Sequence, residues 1–261
     1  MGKMAAVVAN DVDGDGAMTK EDIFGLSSEA IGMPVVGACG VYYSGKDSDD
    51  MPVLTVDAER AASAIEKIVP LFRNKDIALY SADFASGYTN VFRQLIVQKF
   101  IEDEVLFVNN WLCVALELRS MDSDFGILPP PKLNEQQEDY MVYHSGSWTY
   151  YALVPVTIQD PDMVGHVVDA LGHFGHDLVY TALVDTTITS KTLRDTDTED
   201  MLQIIYDNRI FDAVTTYDWG GIVSLFGSFI SGNTTDFASK YAASEAKIIT
   251  AMNEAASTLA G

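Results

Sequence analysis

The sequence predicts an α/β protein, and two helices and the strand that follows them carry that prediction. Between Asp57 and Phe72, apolar residues recur at spacings of three and four with charged residues largely on the other face, which is typical of an amphipathic helix. A second pattern of this kind covers Thr89 to Phe100 and leads into a mostly apolar strand, Glu104 to Trp111. A helix followed by a strand is one step of an α/β lobe, so we expect a sheet covered by helices.

Composition places the chain among globular proteins and excludes several kinds of partner. Its 261 residues can form one large or two modest domains, and 48% hydrophobic with 21% charged residues argue against disorder. The formal net charge of −22 leaves no basic surface for phosphate contacts, so we expect no nucleic-acid partner. No apolar run approaches the ~20 residues of a membrane helix, and the first ten residues are too short for a signal peptide.

The most specific short motif is the acidic loop from Asp11 to Asp22, with the sequence DVDGDGAMTKED. Its spacing of carboxylates, sharp-turn glycine and backbone carbonyl matches an EF-hand calcium loop. At the last position Asp22 replaces the usual Glu, and this shorter arm makes ligation through both oxygens less favourable. The loop predicts a structural calcium ion whose ligands are Asp11, Asp13, Asp15, Ala17 and Asp22. The alternative is an acidic turn without an ion, in which Thr19 to Asp22 form a helix-capping box.

Trp111 is the first aromatic candidate for a ligand surface. It ends a predicted strand, follows Asn110 and precedes a turn-rich segment that contains three consecutive prolines. An indole in such a place is either a ligand platform or a lid on the core. A sugar presents flat C–H faces and hydroxyl rims, so its receptor needs aromatic planes beside amides and carboxylates. Trp111 with Asn110, and Trp219 with Asp218, supply that pairing.

Two regions of the chain resemble extracellular solute-binding proteins of sugar-importing ABC transporters. One runs from Phe100 through 106–111 and 125–132 to 152–157, and the other from Arg194 to Asp212, followed by 217–221. The resemblance implies a periplasmic-binding-protein-like fold of type II, in which two α/β lobes close on a carbohydrate. It also implies an ABC transporter permease as partner and an extracellular, cell-surface lipoprotein whose signal and lipid anchor are not in this sequence.

The resemblance covers the chain from Asp11 onward but only the later part of the family. We therefore expect a truncated receptor, with one nearly complete lobe plus part of the other. Residues 1–139 and 189–261 would form the C-terminal lobe, and residues 140–188 would cross over and return to the N-terminal lobe. The apolar side of the returning segment is then expected to be exposed, rearranged or covered by self-association with a second copy; it includes Val154, Val156, Val167 and Leu171.

The predicted ligand-binding residues are Trp111, Asn110, Trp219, Asp218, Tyr217, Trp148 and Tyr43. Three of the aromatics have a packing alternative that the sequence leaves open. Tyr43 sits in an apolar segment where tyrosine commonly packs, Trp148 would cover a sheet edge, and Trp219 would pack on the core at a helix start. The function that follows is non-catalytic binding of a carbohydrate for import.

The remaining polar residues give no sign of catalysis. Three histidines, His166, His173 and His176, lie along the helix expected after Asp160, where a metal would need a further ligand. No nucleophile motif or phosphate-cradling glycine loop occurs in the sequence. The two cysteines have small or apolar neighbours, which favours buried free thiols. A carbohydrate-active hydrolase and a calcium-stabilised extracellular scaffold module remain the alternative functions.

Overall fold

The structure is a computed structural model that describes residues 1–29, 32–118, 121–144, 152–182 and 197–259. The α-helices in these residues are α1 (Gly2–Val8), α2 (Gly32–Ala38), α3 (Ala58–Phe72), α4 (Gln98–Ile101), α5 (Pro161–Phe174), α6 (Asp197–Asp207), α7 (Ala213–Tyr217), α8 (Ile222–Ser231) and α9 (Phe237–Leu259). The strands are β1 (Phe24–Ser28), β2 (Ser44–Lys46), β3 (Pro52–Leu54), β4 (Ala78–Tyr80), β5 (Val105–Asn109), β6 (Val142–Tyr143) and β7 (Arg209–Ile210). Shorter 3₁₀ or π-helical segments cover Ser81–Phe84, Phe92–Val97, Leu112–Leu116, Gly175–Tyr180 and Trp219–Gly221.

The central element is a three-stranded parallel sheet in the order β4, β1, β5. Leu26 of β1 pairs with Ala78 on one side and Phe107 on the other, and all five residues of β1 are buried. A parallel sheet needs helices on both faces because its strands are buried on both. The α/β class predicted from the sequence is therefore confirmed, and the short pairs β2–β3 and β6–β7 lie outside this sheet.

Helix α3 covers one face of the sheet. Its start is fixed by Asp57, whose side chain accepts a hydrogen bond of 3.0 Å from the backbone N–H of Arg60. The buried stripe of the helix consists of Ala61, Ala64, Ile65, Ile68, Val69 and Phe72. This stripe packs in the main core together with β1, β4, α8 and α9, so the helix predicted from the 3–4 spacing is confirmed.

The opposite face of the sheet is covered by the predicted helix 89–100, which is observed as a π-helical segment from Phe92 followed by α4. Its Leu95 and Ile96 pack against Phe24, Leu79 and Val105 of the three strands. The helices cover the two faces of the sheet and leave the carboxyl ends of the strands uncovered by either helix layer.

Helices α2 and α8 cross in close contact at two glycines. A Cβ atom on Gly32 would lie 2.6 Å from the Cα atom of Gly227, a separation that no real side chain shows. The crossing places Phe226 of α8 at the centre of an aromatic group whose other members are Tyr43, Phe229 and Phe237. The closing helix α9 begins at Phe237, whose ring belongs to this group.

Helix α5 and the π-helical segment after it contain no buried residue. The helix starts as predicted, with Asp160 accepting a 3.0 Å hydrogen bond from the N–H of Met163. The apolar side of residues 152–182 was expected to be exposed, rearranged or covered by a second copy, and in this single chain Val156 is 100% and Leu171 68% exposed. In the described part of the chain, every helix is too short or too polar to cross a bilayer.

Both cysteines are free thiols, as the sequence suggested, but only one of them is buried. Burial raises the pKa of Cys39 to about 11, which makes it an inert core residue. Cys113 is exposed, so the prediction of burial was wrong there; this residue lies four positions after the end of β5, in the 3₁₀ helix Leu112–Leu116.

Candidate functional site

Three strands present polar side chains at the carboxyl edge of the central sheet. β1 ends with Ser27 and Ser28, β4 ends with Tyr80, and β5 ends with Asn109. The register pairs Ser28 with both Tyr80 and Asn109, so these residues form one row across the sheet. Ligands of open α/β sheets bind at this edge, because the loops that follow the strands diverge there.

Several polar atoms at this edge are buried without a hydrogen-bond partner in the described residues. They are Ser27 Oγ, Tyr80 OH, Asn109 Nδ2 and Asn110 Nδ2. An unpaired buried donor costs about 1–3 kcal/mol, and native proteins contain few of them. Four such atoms lie at one strand edge, and a ligand rich in hydroxyl groups would supply their missing hydrogen-bond partners.

Arg73 and Asp83 stabilise the β4 side of this edge. The guanidinium donates two hydrogen bonds of 2.9 and 3.0 Å to the two carboxylate oxygens of Asp83. The same guanidinium lies 4.3 Å from the ring centroid of Tyr80. Burial raises the pKa of the Tyr80 hydroxyl, so this group is a neutral donor at physiological pH. The edge therefore carries a paired charge and an uncharged phenol.

Glu29 directly follows β1 at the same edge. Desolvation by its surroundings raises the pKa of this carboxyl group. Sequence reasoning missed Ser27, Glu29, Tyr80 and Asn109 as candidates. The signal that could have found them is the change from apolar to polar residues at the end of each strand, but it requires knowing which strands are neighbours.

Trp111 stands next to these groups, at the start of the 3₁₀ helix Leu112–Leu116. The indole is half-buried, and its backbone N–H donates a 2.7 Å hydrogen bond to Asn110 Oδ1. That bond fixes the direction of the Asn110 side chain and leaves its Nδ2 unpaired. The structure thus brings the predicted pair Trp111 and Asn110 together at the edge that carries the unpaired donors.

The fold is similar to that of a maltodextrin-binding protein. A solved structure of the maltose/maltodextrin-binding domain MalE from Bdellovibrio bacteriovorus, bound to maltotriose, matches 97% of this chain with a TM-score of 0.55 at 14% sequence identity. The match includes 64% of that protein, so this chain spans less than two thirds of its length. No protein-family model and no curated protein sequence matches the chain. At this level of identity the likeness shows the fold alone.

Trp219 lies in the core, which corrects its assignment as a stacking surface. It is only 7% exposed, and its ring is stacked by Tyr217 at a centroid distance of 5.4 Å. Asp218 adopts a left-handed conformation, and its Oδ1 accepts a 2.8 Å hydrogen bond from the N–H of Val223. Within the described residues no ring contact joins Trp219 to Trp111. Of the three predicted residues here, Tyr217 alone presents a ring to solvent.

Tyr43 is completely buried, which corrects its assignment as a ligand contact. Its hydroxyl donates a 2.7 Å hydrogen bond to the carbonyl of Met33, and its ring packs edge-on against Tyr143 and Phe226. Burial raises the pKa of this phenol well above its usual value. Tyr43 therefore holds the core together. Trp148, the remaining predicted ligand residue, lies outside the described residues.

The acidic side chains of the loop form two sets with different partners. Within the described residues, Asp11, Asp13 and Asp15 are the one group of three acidic, histidine or cysteine side chains whose ligand atoms lie within 4.8 Å of one another. Asp22 is not part of that group. Its two carboxylate oxygens accept hydrogen bonds from the N–H groups of Val12 and Thr19, at 2.8 and 2.6 Å. The complete EF-hand ligand set therefore does not fit this loop, and calcium held by the other three carboxylates stays a prediction.

The stability of the protein should fall in acid partly because of Asp22. Hydrogen bonds from Thr19 and Val12 lower the pKa of this carboxyl group in the folded state. A lowered folded-state pKa stabilises the fold above the unfolded value of about 3.9, and this stabilisation is lost as the pH falls through the folded value. Asp22→Asn should lower the urea midpoint at neutral pH. The difference between the midpoints of the variant and the wild type should shrink as the pH falls below about 3.9.

Urea denaturation of both proteins between neutral pH and pH 3 measures the effect. The exposed carboxylate Asp49 provides the control, since Asp49→Asn should leave the urea midpoint unchanged. A difference between Asp22→Asn and wild type that stays constant down to the lowest pH would contradict the assigned role of the carboxylate.

Proposed function

We propose that this chain binds a carbohydrate at the carboxyl edge of the central sheet, as the substrate-binding component of an importer, without catalysing a reaction. The observation that carries the proposal is the set of buried, unpaired side-chain donors at the strand edge that the half-buried Trp111 follows in the chain. Sugar hydroxyls accept and donate hydrogen bonds, and the C–H face of a sugar ring packs on an aromatic plane. The maltotriose in the related MalE structure is consistent with this ligand class.

The charges at the edge favour a neutral ligand. Asp83 balances the charge of Arg73 through two hydrogen bonds, and the Nε–H of Arg73 is a further buried donor without a partner in the described residues. Hydroxyl and amide groups make up the rest of the edge, and they suit an uncharged ligand with many hydroxyls.

Binding at this edge requires a small opening movement. The unpaired atoms are closed to solvent in this conformation, so a ligand reaches them only after a local opening of this edge. The gain in hydrogen bonds then offsets the cost of that movement. A population shift between open and closed forms is the general behaviour of proteins that enclose a ligand between two lobes.

Import by an ABC transporter, with a permease as partner and attachment outside the cell by a lipid anchor, is the wider role that we propose. It is supported by the sequence resemblance and by the likeness of the fold to MalE. Binding experiments should extend to millimolar sugar.

Replacing Trp111 by alanine should lower the affinity for the bound sugar at least tenfold, about 1.4 kcal/mol, because the stacking plane is lost. Isothermal titration calorimetry with maltotriose and a panel of other neutral oligosaccharides measures this affinity. Phe211→Ala is the matched control, since it removes an exposed aromatic ring that packs on His144 and not on the sheet edge.

Three results would contradict the proposal. They are the absence of binding to every sugar in the panel by the folded protein, an unchanged affinity in Trp111→Ala, and the release of a shorter sugar during prolonged incubation. The last result would favour the hydrolase alternative, which chromatography of the incubated sugar detects.

A further inference from the structure

The exposed returning segment carries an apolar stripe with the regular spacing of a packed helix. Its members are Met163, Val167, Leu171, Phe174 and Leu178, each exposed by between 49% and 68%. Spacings of four, four, three and four place them on one side of the helix. A solvent-facing helix has no physical need for such a stripe, so the stripe is typical of a surface that contacts another surface.

The extent of the apolar surface fits a stable interface. Ten large apolar side chains between Leu153 and Val179 are exposed. At roughly 100 Å² each, the ten offer on the order of 1,000 Å², of which the five side chains of the stripe supply about half, and the other five flank it. Each partner in a stable complex contributes about 800 Å².

We propose that this stripe binds the same stripe of a second copy of the chain, in an antiparallel helix pair with twofold symmetry near Leu171. Antiparallel pairing about this residue sets Met163 against the partner's Leu178 and Val167 against the partner's Phe174. A twofold axis makes the surface complementary to itself, so every contact occurs twice. The inference does not depend on the proposed carbohydrate binding, because it uses a different surface.

The aspartates beside the stripe repel those of a second copy, and one histidine–aspartate pair and the helix dipoles act in the opposite sense. Between residues 152 and 182 the acidic residues are four aspartates, and lysine and arginine are absent. The antiparallel arrangement brings His166 of each copy close to the partner's Asp177. Within one chain, Asp177 already attracts His173 and His176, with carboxylate-to-ring distances of 3.4 and 3.1 Å. Opposed helix directions also align each helix N-terminus with the partner's C-terminus, which is electrostatically favourable.

The net charge of −22 per chain acts against association, so salt should strengthen the pair. Sedimentation equilibrium from micromolar to near-millimolar protein should show a reversible dimer with twice the chain mass of 28.5 kDa. Leu171→Asp should raise the dissociation constant at least tenfold. Val7→Asp is the matched control, because it places the same charge on a side chain that is 85% exposed on α1.

Cross-linking tests the register of the pair. In a Cys113→Ser background, which removes the exposed native thiol, Leu171→Cys should form a disulfide-linked dimer under mild oxidation with diamide. Val7→Cys in the same background should not. A folded wild type that stays monomeric at every concentration and salt would overturn the proposal, and the face would then be free for a different polypeptide. A dimer unaffected by Leu171→Asp would overturn it as well.

Discussion

Replacing Phe226 by alanine is expected to destabilise the fold by about 4 kcal/mol, the largest effect of any single substitution considered. The ring is fully buried where α2 and α8 cross, and its centroid lies 4.7 Å from the ring centroid of Tyr43. Phe237 is 5.9 Å away on α9. Truncation leaves a cavity that the close glycine crossing cannot close, because the two backbones are already in contact at Gly32.

Urea denaturation followed by tryptophan fluorescence measures this effect. Phe226→Leu should cost far less, because it retains most of the buried volume. Phe211→Ala, which removes an exposed ring, should change the free energy of unfolding by less than about 0.5 kcal/mol. A loss in Phe226→Ala as small as that in Phe211→Ala would show that the two helices do not pack as described.

Replacing Asp212 by alanine is expected to destabilise the protein by about 3 kcal/mol. This buried carboxylate joins two parts of the chain that are 168 and 169 positions apart. It accepts hydrogen bonds of 3.2 and 3.0 Å from the backbone N–H groups of Tyr43 and Ser44, and a third from the Ser44 hydroxyl. It also accepts a 3.0 Å bond from the N–H of Val214 at the start of α7. Its removal leaves several buried donors without an acceptor.

The stability loss in Asp212→Ala depends on these donors, and the contribution of the Ser44 hydroxyl can be measured separately. Ser44→Ala removes one donor together with its need for an acceptor, so it should cost about 1 kcal/mol or less. A double-mutant cycle of Asp212→Ala with Ser44→Ala then gives the energy of that single hydrogen bond. If Asp212→Ala costs no more than an exposed helix cap, about 1 kcal/mol, the long-range contacts contribute little and the assigned role is wrong.

Local features of the fold were predictable because each depends on neighbours in the sequence. The starts of α3 and α5 follow from Asp57 and Asp160, whose side chains accept backbone hydrogen bonds three residues on. The spacing of apolar residues gave the buried face of α3 and the residues that form the apolar side of α5. These predictions use helix geometry alone, so no knowledge of the sheet was required.

The choice among the aromatic candidates was not predictable. Tyr43, Trp111 and Trp219 all stand beside polar residues at the end of an apolar segment. In the structure Tyr43 and Trp219 are buried and Trp111 is half-buried. The difference arises from distant partners: the backbone N–H of Tyr43 bonds to Asp212, and Trp219 lies in the core that contains Ile248 of α9. Sequence spacing contains no information on such contacts.

The sequence by itself determined the α/β class, the main helices, the strand that ends near Trp111 and the acidic character that argues against nucleic-acid partners. Only the tertiary structure decided the candidate site, because Ser27, Tyr80 and Asn109 come from three strands and meet through the register of a parallel sheet. It also decided that Asp22 bonds to backbone N–H groups. The physical reason is that helices and caps arise from interactions within a few residues, whereas burial and hydrogen-bond partners are set by segments that are distant in sequence.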